Sequence, residues 1–290
     1  LTKTVPPAGV VVDRSDTWLN SVNAARRAGT TRTPMHTLAT RYRYNTLNQV
    51  ISQISPDGGL SRFWYDRLGR LAISQNAVQR QHSAYSYTRY DYLGRITEVG
   101  EITSAAGMTD VISRDNNKLQ QWLDAAASSR EQVTRTVYDQ AYTAIEPLLA
   151  ATNLRNRVAW SAVYNDAEDI SAMSPASATY YSYDIHGNVD TLLQDYRQGT
   201  MAANDNRFKK LIYEYDLVSG KVNKVSYQAG LPDAFYHRYT YDAENRITNV
   251  ETSTDDFYWE NEAYYQYYKH GPLAKAVIGQ QQVQGVDYAY

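Results

Sequence analysis

Four aspartates of this chain stand in one repeated context. Asp66, Asp91, Asp184 and Asp242 each follow a tyrosine (Tyr65, Tyr90, Tyr183, Tyr241) and precede by three residues Gly69, Gly94, Gly187 or Asn245. Carboxylates that recur in this way are the material of general acid and base chemistry, which needs two of them held in unlike environments. Arg70, Arg95 and Arg246 come one residue later and bring guanidinium partners, so the same positions equally suit short-range salt bridges. The spacing favours structure over catalysis, because an Asp at the first position of a turn hydrogen-bonds the backbone two residues on. The five histidines, His36, His82, His186, His237 and His270, are scattered singly, and none has a second ligand at metal-site spacing. His186 and His270 directly precede turn glycines, where a polar exposed residue is ordinary. No glycine-rich phosphate loop, nucleophile elbow or triad pattern occurs in the sequence. No catalytic residue, metal ligand or cofactor site is assigned.

The elements that position these residues follow from the repeat itself. Tyr65 to Leu71, Tyr90 to Ile96 and Tyr241 to Ile247 are close copies. Looser ones start at Tyr44, Tyr183, Tyr215 and Tyr267. Self-similarity at intervals of about 20 to 30 residues is the mark of a repeat array. The position three after the aspartate is Gly or Asn, the two residue types that best tolerate a left-handed backbone. Asp followed three residues later by Gly predicts a tight hairpin whose exit residue is an αL bulge. The flanks, such as Arg62-Phe63-Trp64-Tyr65 and Leu71-Ala72-Ile73, suit strands. One hairpin alone is marginal in water, so neighbours must complete it, and the expected product is a long curling sheet of hairpins. Ile96 and Val99, Val222 and Val225, and Ile247 and Val250 lie three apart rather than two. Either a bulge shifts the register after each turn or both sheet faces are partly covered.

Composition narrows the function classes. The 290 residues carry 29 basic and 31 acidic side chains, a formal net charge of -2, which lacks the basic field of a nucleic-acid binder. The 27 tyrosines against 4 phenylalanines favour half-wet sheet surfaces, where a ring packs and a hydroxyl finds a partner. With no cysteine there is neither a disulfide framework nor a thiolate metal site. No window approaches a membrane span and the first residues lack a signal-peptide pattern. The ends carry no capping element of the kind a repeat array needs, so the expectation is a fragment, 1–290, of a longer array.

Two stretches interrupt the hairpins. Over 16–29, Trp18, Leu19, Val22 and Ala25 fall at helical spacing, with Asp16 as N-cap and Gly29 as stop. Over 116–132, Leu119, Trp122, Leu123 and Ala126 form a second stripe. Both apolar stripes are expected to be covered against the sheet. Between 151 and 179 the repeats blur, and Met173 to Ser177 reads as a loop.

Tyr-Asp-x-x-Gly-Arg, iterated at this spacing, resembles the YD repeats of RHS-repeat proteins, a family shared by bacterial polymorphic toxins, insecticidal toxin-complex shells and animal teneurins. The likeness covers about 41–100 and 180–273. The runs Ser55-Pro56-Asp57-Gly58-Gly59 to Trp64-Tyr65-Asp66 and Tyr267 to Leu273 look like segments of very large RHS proteins from the Bacteroidetes. The resemblance implies an all-β fold of tandem hairpins wound into a spiralling, hollow shell that encloses a C-terminal toxin or cargo. It also implies a secreted or cell-surface location, and as partners the rest of the same shell and the enclosed segment. Toxin-type members carry Asp-Pro-x-Gly cleavage motifs, yet none of the eight prolines here follows an aspartate, so no self-cleavage site is assigned. The alternative is an adhesion module that binds glycans or a receptor through the aromatic residues Tyr258, Trp259, Tyr264, Tyr265, Tyr267 and Tyr268. Alternate residues of a strand point to opposite faces, so at most half of these form one patch.

Overall fold

In the computed structural model, which describes residues 2–203 and 206–290, the chain is all-β, with eighteen antiparallel strands and short helices among the described residues. It divides into two compact units, the first Leu1–Val133 with Asp166–Glu168, the second Thr134–Asn165 with Asp169–Tyr290.

In the first unit the strands Thr40–Tyr44, Val50–Ser55, Gly59–Tyr65, Leu71–Gln75, Ala84–Tyr90 and Ile96–Thr103 pair each with the next. The two-residue strand Lys3–Thr4 covers part of the outer edge at Arg41 and Thr40. In the second unit the same meander runs from Val158–Asp166 and Ser177–Tyr183 through eight further strands to Gln284–Asp287.

A bulge follows each repeated turn. Tyr65 faces Leu71 while Trp64 faces Ile73, so Ala72 is the extra residue. Thr97, Asn223 and Thr248 are extra in the same way. Of the two readings of the three-residue apolar spacing, the bulge is the one present. It returns Ile96 and Val99 to one face, opposite Tyr90 and Thr88, and does the same for Val222 with Val225 and Ile247 with Val250.

The inserts differ in part from expectation. The first helix, Asp16–Arg27, is capped by Ser15, whose Oγ accepts from the Trp18 N–H at 3.2 Å, and Asp16 is instead the acid of the first turn. Gly29 ends it at φ +69°. None of its residues is buried: Trp18, Val22 and Ala25 are half-buried and Leu19 is exposed, so its stripe is covered only in part. The second helix is Asn116–Ala125 and stops seven residues short of 132. Ala127–Ser129 forms a 3₁₀ turn, and Arg130–Tyr138, rich in β-branched residues, becomes a strand. This helix is covered: Trp122 and Leu123 are buried, Trp122 meets the Tyr85 ring edge-on at 5.2 Å, and its indole N–H donates to the Ala106 carbonyl at 2.8 Å. Where the repeats blur, 151–179 contains the strand Val158–Asp166 and the helix Ala167–Ser171 before the strand Ser177–Tyr183.

Candidate functional site

The residues that recur in the sequence meet at the hairpin turns. In the turn after Tyr65, the Asp66 N–H donates to the Arg70 carbonyl at 2.8 Å and the Gly69 N–H donates back to the Asp66 carbonyl at 3.0 Å. The Asp66 side chain closes the loop, Oδ1 accepting from the backbone N–H groups of Leu68 and Arg70 at 2.9 Å each and Oδ2 from Arg70 Nε at 2.7 Å. Asp91 does the same with Leu93 and Arg95, and Asp242 with Glu244 and Arg246. At Asp184 the partners are Gly187, Asn188 and the Asn188 amide. The left-handed residue has φ of +78° at Gly69, +84° at Gly94, +98° at Gly187 and +62° at Asn245. Tyr268 occupies the aspartate position of the last copy, where only the backbone pair remains, Tyr268 N–H to Pro272 O and Gly271 N–H to Tyr268 O, both 2.9 Å.

These bonds fix the charge of the carboxylates. At Asp91, Asp184 and Asp242 desolvation acts to raise the carboxyl and is outweighed by N–H donors of the turn, so all three lie below the ordinary aspartate range. Asp216 is lowered by the backbone and side chain of Ser219. A carboxylate whose lone pairs are taken by its own turn and whose proton affinity is depressed is a poor general base at neutral pH. The repeated acids therefore point away from acid and base chemistry. No group of three His, Asp or Glu side chains among the described residues is placed to hold a metal ion.

The tyrosines connect one turn to the next. The Tyr65 O–H donates to the Val50 carbonyl, Tyr90 to Leu71, Tyr183 to Val158, Tyr215 to Val189, Tyr241 to Val222 and Tyr267 to Ile247, all at 2.8 to 2.9 Å. Each acceptor is the first residue of the returning strand of the preceding hairpin, two residues past its left-handed Gly or Asn. Desolvation raises the pKa of all six phenols, which keeps them protonated donors. The arginine of one turn then lies over the tyrosine ring of the next: Arg70 over Tyr90 at 4.3 Å and Arg246 over Tyr267 at 4.6 Å. Side chains from one turn also crowd the next glycine. A Cβ on Gly69 would stand 3.0 Å from Gln49 Nε2, and one on Gly187 only 2.6 Å from an Arg157 guanidinium nitrogen. Together these contacts form a latch between consecutive turns.

Sequence reading missed one repeat. Tyr138-Asp139 and Asn156-Arg157-Val158 are the two halves of the same turn, separated by an insert. The Asp139 N–H donates to the Arg157 carbonyl at 3.1 Å, as Asp66 does to Arg70, and Asn156 takes the left-handed conformation at φ +60° and donates its N–H to the Asp139 carboxylate. Arg157 lies over the Tyr183 ring at 5.3 Å, and Val158 supplies the carbonyl for Tyr183. The insert packs back on its own unit, Tyr142 stacking on Tyr180 at 5.7 Å and meeting Trp160 at a tilt at 5.5 Å, with Ile145 and Leu149 buried. Below them Asp195 is fully buried, and its carboxylate accepts from Arg197 Nε at 2.7 Å and Arg207 Nε at 2.6 Å.

The aromatic run is not brought together as one patch. In the strand Glu260–Tyr267, Tyr265 and Tyr267 lie on one face and Tyr264 on the other, and the Tyr267 hydroxyl is used in the latch. Trp259 lies beneath Arg238 at 4.3 Å. Tyr268 stacks on His270 at 5.3 Å and donates to the Tyr288 carbonyl at 2.8 Å. Tyr258 is exposed in the preceding turn.

No protein-family model matches the chain, and no curated protein is similar to it in sequence. Solved structures do share its fold. The structure titled TcdB2-TccC3-Cdc42 aligns with a TM-score of 0.57 at 13% identity over 92% of this chain. The structure titled TcdB2-TccC3-TEV gives 0.53 at 12% identity over 88%. The structure of TcdB2-TccC3 without its hypervariable C-terminal region gives 0.53 at 13% identity over 89%. The chain spans only 10 to 11% of the length of these neighbours, and at this identity what it shares with them is the fold.

Proposed function

We propose that the chain is a non-enzymatic wall segment of an RHS-type shell, secreted or at the cell surface, that encloses a toxin or other cargo segment. The latch carries this reading. Of the residues the sequence repeats, aspartate and glycine close each turn, saturating the carboxylate, while tyrosine and the stacked arginine hold one hairpin to the next. The shared fold with the TcdB2-TccC3 structures supports the same reading. Its wall is of the kind expected in large Bacteroidetes RHS proteins, and the rest of the same wall is its principal partner.

Limited proteolysis of the full-length gene product, read by mass spectrometry, tests it. A segment outside the repeats that resists protease in buffer, and is cut once denaturant loosens the repeats, is the expected result. Cleavage of every non-repeat segment at the rate of an unfolded chain, with the repeats intact, would overturn it. Binding to a glycan array that depends on Tyr258 and Tyr264 would instead favour the adhesion module.

A further inference from the structure

In the first unit, a cavity of about 320 Å³ opens between the turn after Tyr65, the strands Ala84–Tyr90 and Ile96–Thr103, and the helix Asn116–Ala125. Three guanidinium side chains line it, Arg67, Arg70 and Arg89, against one carboxylate, Asp66. That carboxylate is spent, because both its oxygens accept N–H groups of its own turn and Arg70. Arg89 reaches Asp124 at 3.1 Å and stands 3.9 Å from Glu98, while its buried Nε–H has no hydrogen-bond acceptor among the described residues. Arg130 shares those same two acids at 3.7 and 3.8 Å, so they are already balanced by two cations. Arg67 is exposed and has no ion-pair partner among the described residues, which leaves one positive charge uncompensated at the cavity mouth. The Asn116 amide adds a neutral donor and Leu119 an apolar wall, while the Gln120 amide already gives one N–H to Asp124 at 2.8 Å.

We propose that this cavity binds a small organic anion, a carboxylate or phosphate monoester with a compact apolar body. The volume lies at the lower end of small-molecule pockets and suits a compact ligand. Guanidinium groups suit the planar, multidentate oxygens of such an anion. The cavity shares Arg70 and Tyr90 with the latch, whereas Arg67 and Gln120 take no part in it.

The test is a titration of the 290-residue chain with phenyl phosphate, benzoate and inorganic phosphate, followed by amide chemical shifts. Saturable shifts at Thr88, Tyr90 and Gln120 with the two aromatic anions at millimolar concentration are expected, with inorganic phosphate weaker. Arg67→Gln, a change at an exposed turn position, should weaken binding about tenfold, the worth of one charge-assisted contact. Gln120→Glu should abolish it, and Arg62→Gln, outside the cavity, should leave it unchanged. Absence of saturable shifts, or equal affinity in Arg67→Gln, Gln120→Glu and the parent, would overturn the proposal. If inorganic phosphate binds as tightly as phenyl phosphate, the apolar wall has no role and the assignment to an organic anion fails.

Discussion

Replacing a latch tyrosine by phenylalanine keeps the ring and its packing while deleting one O–H. At Tyr90 and Tyr241 the bond removed is 2.8 Å long, to the Leu71 and Val222 carbonyls. A net contribution of about 0.5 to 1.5 kcal/mol is ordinary for such a bond. The four in the second unit therefore sum to roughly 2 to 6 kcal/mol, a large part of the stability of about 5 to 15 kcal/mol that native domains possess. For units of this size each variant should lower the melting temperature by about 2 to 4 °C per kcal/mol lost. In the second unit successive latch tyrosines sit two strands apart, about 10 Å, and alternate ones about 19 Å. The double variant Tyr215→Phe with Tyr267→Phe should then be additive within about 0.5 kcal/mol. Calorimetry and urea unfolding are suitable assays, with Tyr92→Phe as control, since Tyr92 is 92% exposed and lies in a turn outside the latch. If Tyr90→Phe, Tyr241→Phe and the double variant all unfold within about 0.3 kcal/mol of the parent, as Tyr92→Phe should, the hydroxyls contribute nothing and the latch account is wrong.

Further outcomes follow from the same contacts. Gly187→Ala should cost more than Gly94→Ala, because both have positive φ but a Cβ at Gly187 meets Arg157 at 2.6 Å whereas one at Gly94 stands 3.6 Å from Arg70; equal melting temperatures would show that crowding is irrelevant. Asp195→Asn should destabilise by roughly 1.5 to 3 kcal/mol by removing the buried charge that Arg197 and Arg207 pair with, and a urea titration showing a change under about 1 kcal/mol would contradict this. Asp91, Asp184, Asp216 and Asp242 have folded pKa values below their unfolded ones, so their contribution is complete above about pH 4 and disappears as pH falls through the folded values. The latch phenols are shifted the opposite way, so their contribution holds below about pH 10 and is lost as pH rises beyond it. A melting temperature flat from pH 5 down to 2.5 would contradict the acid limb.

The hairpins were legible because Gly69, Gly94, Gly187 and Asn245 announce a left-handed backbone by residue type alone, and because the three-residue spacing of Ile96 and Val99 restricts the choices to a bulge or a two-sided sheet. The latch was not legible. A tyrosine in a strand reads as a packing ring, and its distance to the accepting carbonyl varies in sequence from 15 residues at Tyr65 to 26 at Tyr215. The constant lies in the acceptor, always two residues past the turn glycine or asparagine, and only the register of paired strands brings it to the hydroxyl. The split turn at Asp139 and Asn156 escaped for a related reason: loop length within a hairpin is cheap to vary, so an insert can hide a repeat whose two ends still close the same hydrogen bonds. The helix Asp16–Arg27 shows the reverse, a pattern that announces a helix correctly while saying little about whether its stripe finds a neighbour.

The most direct measurement is a cryo-electron microscopy map of the full-length gene product at a resolution that shows tyrosine hydroxyls. The account expects Tyr65, Tyr90, Tyr183, Tyr215, Tyr241 and Tyr267 to touch the carbonyl of the preceding hairpin in a continuous wall around a cavity that holds further density. An open sheet with solvent on both faces, or tyrosine hydroxyls turned away from those carbonyls, would contradict it.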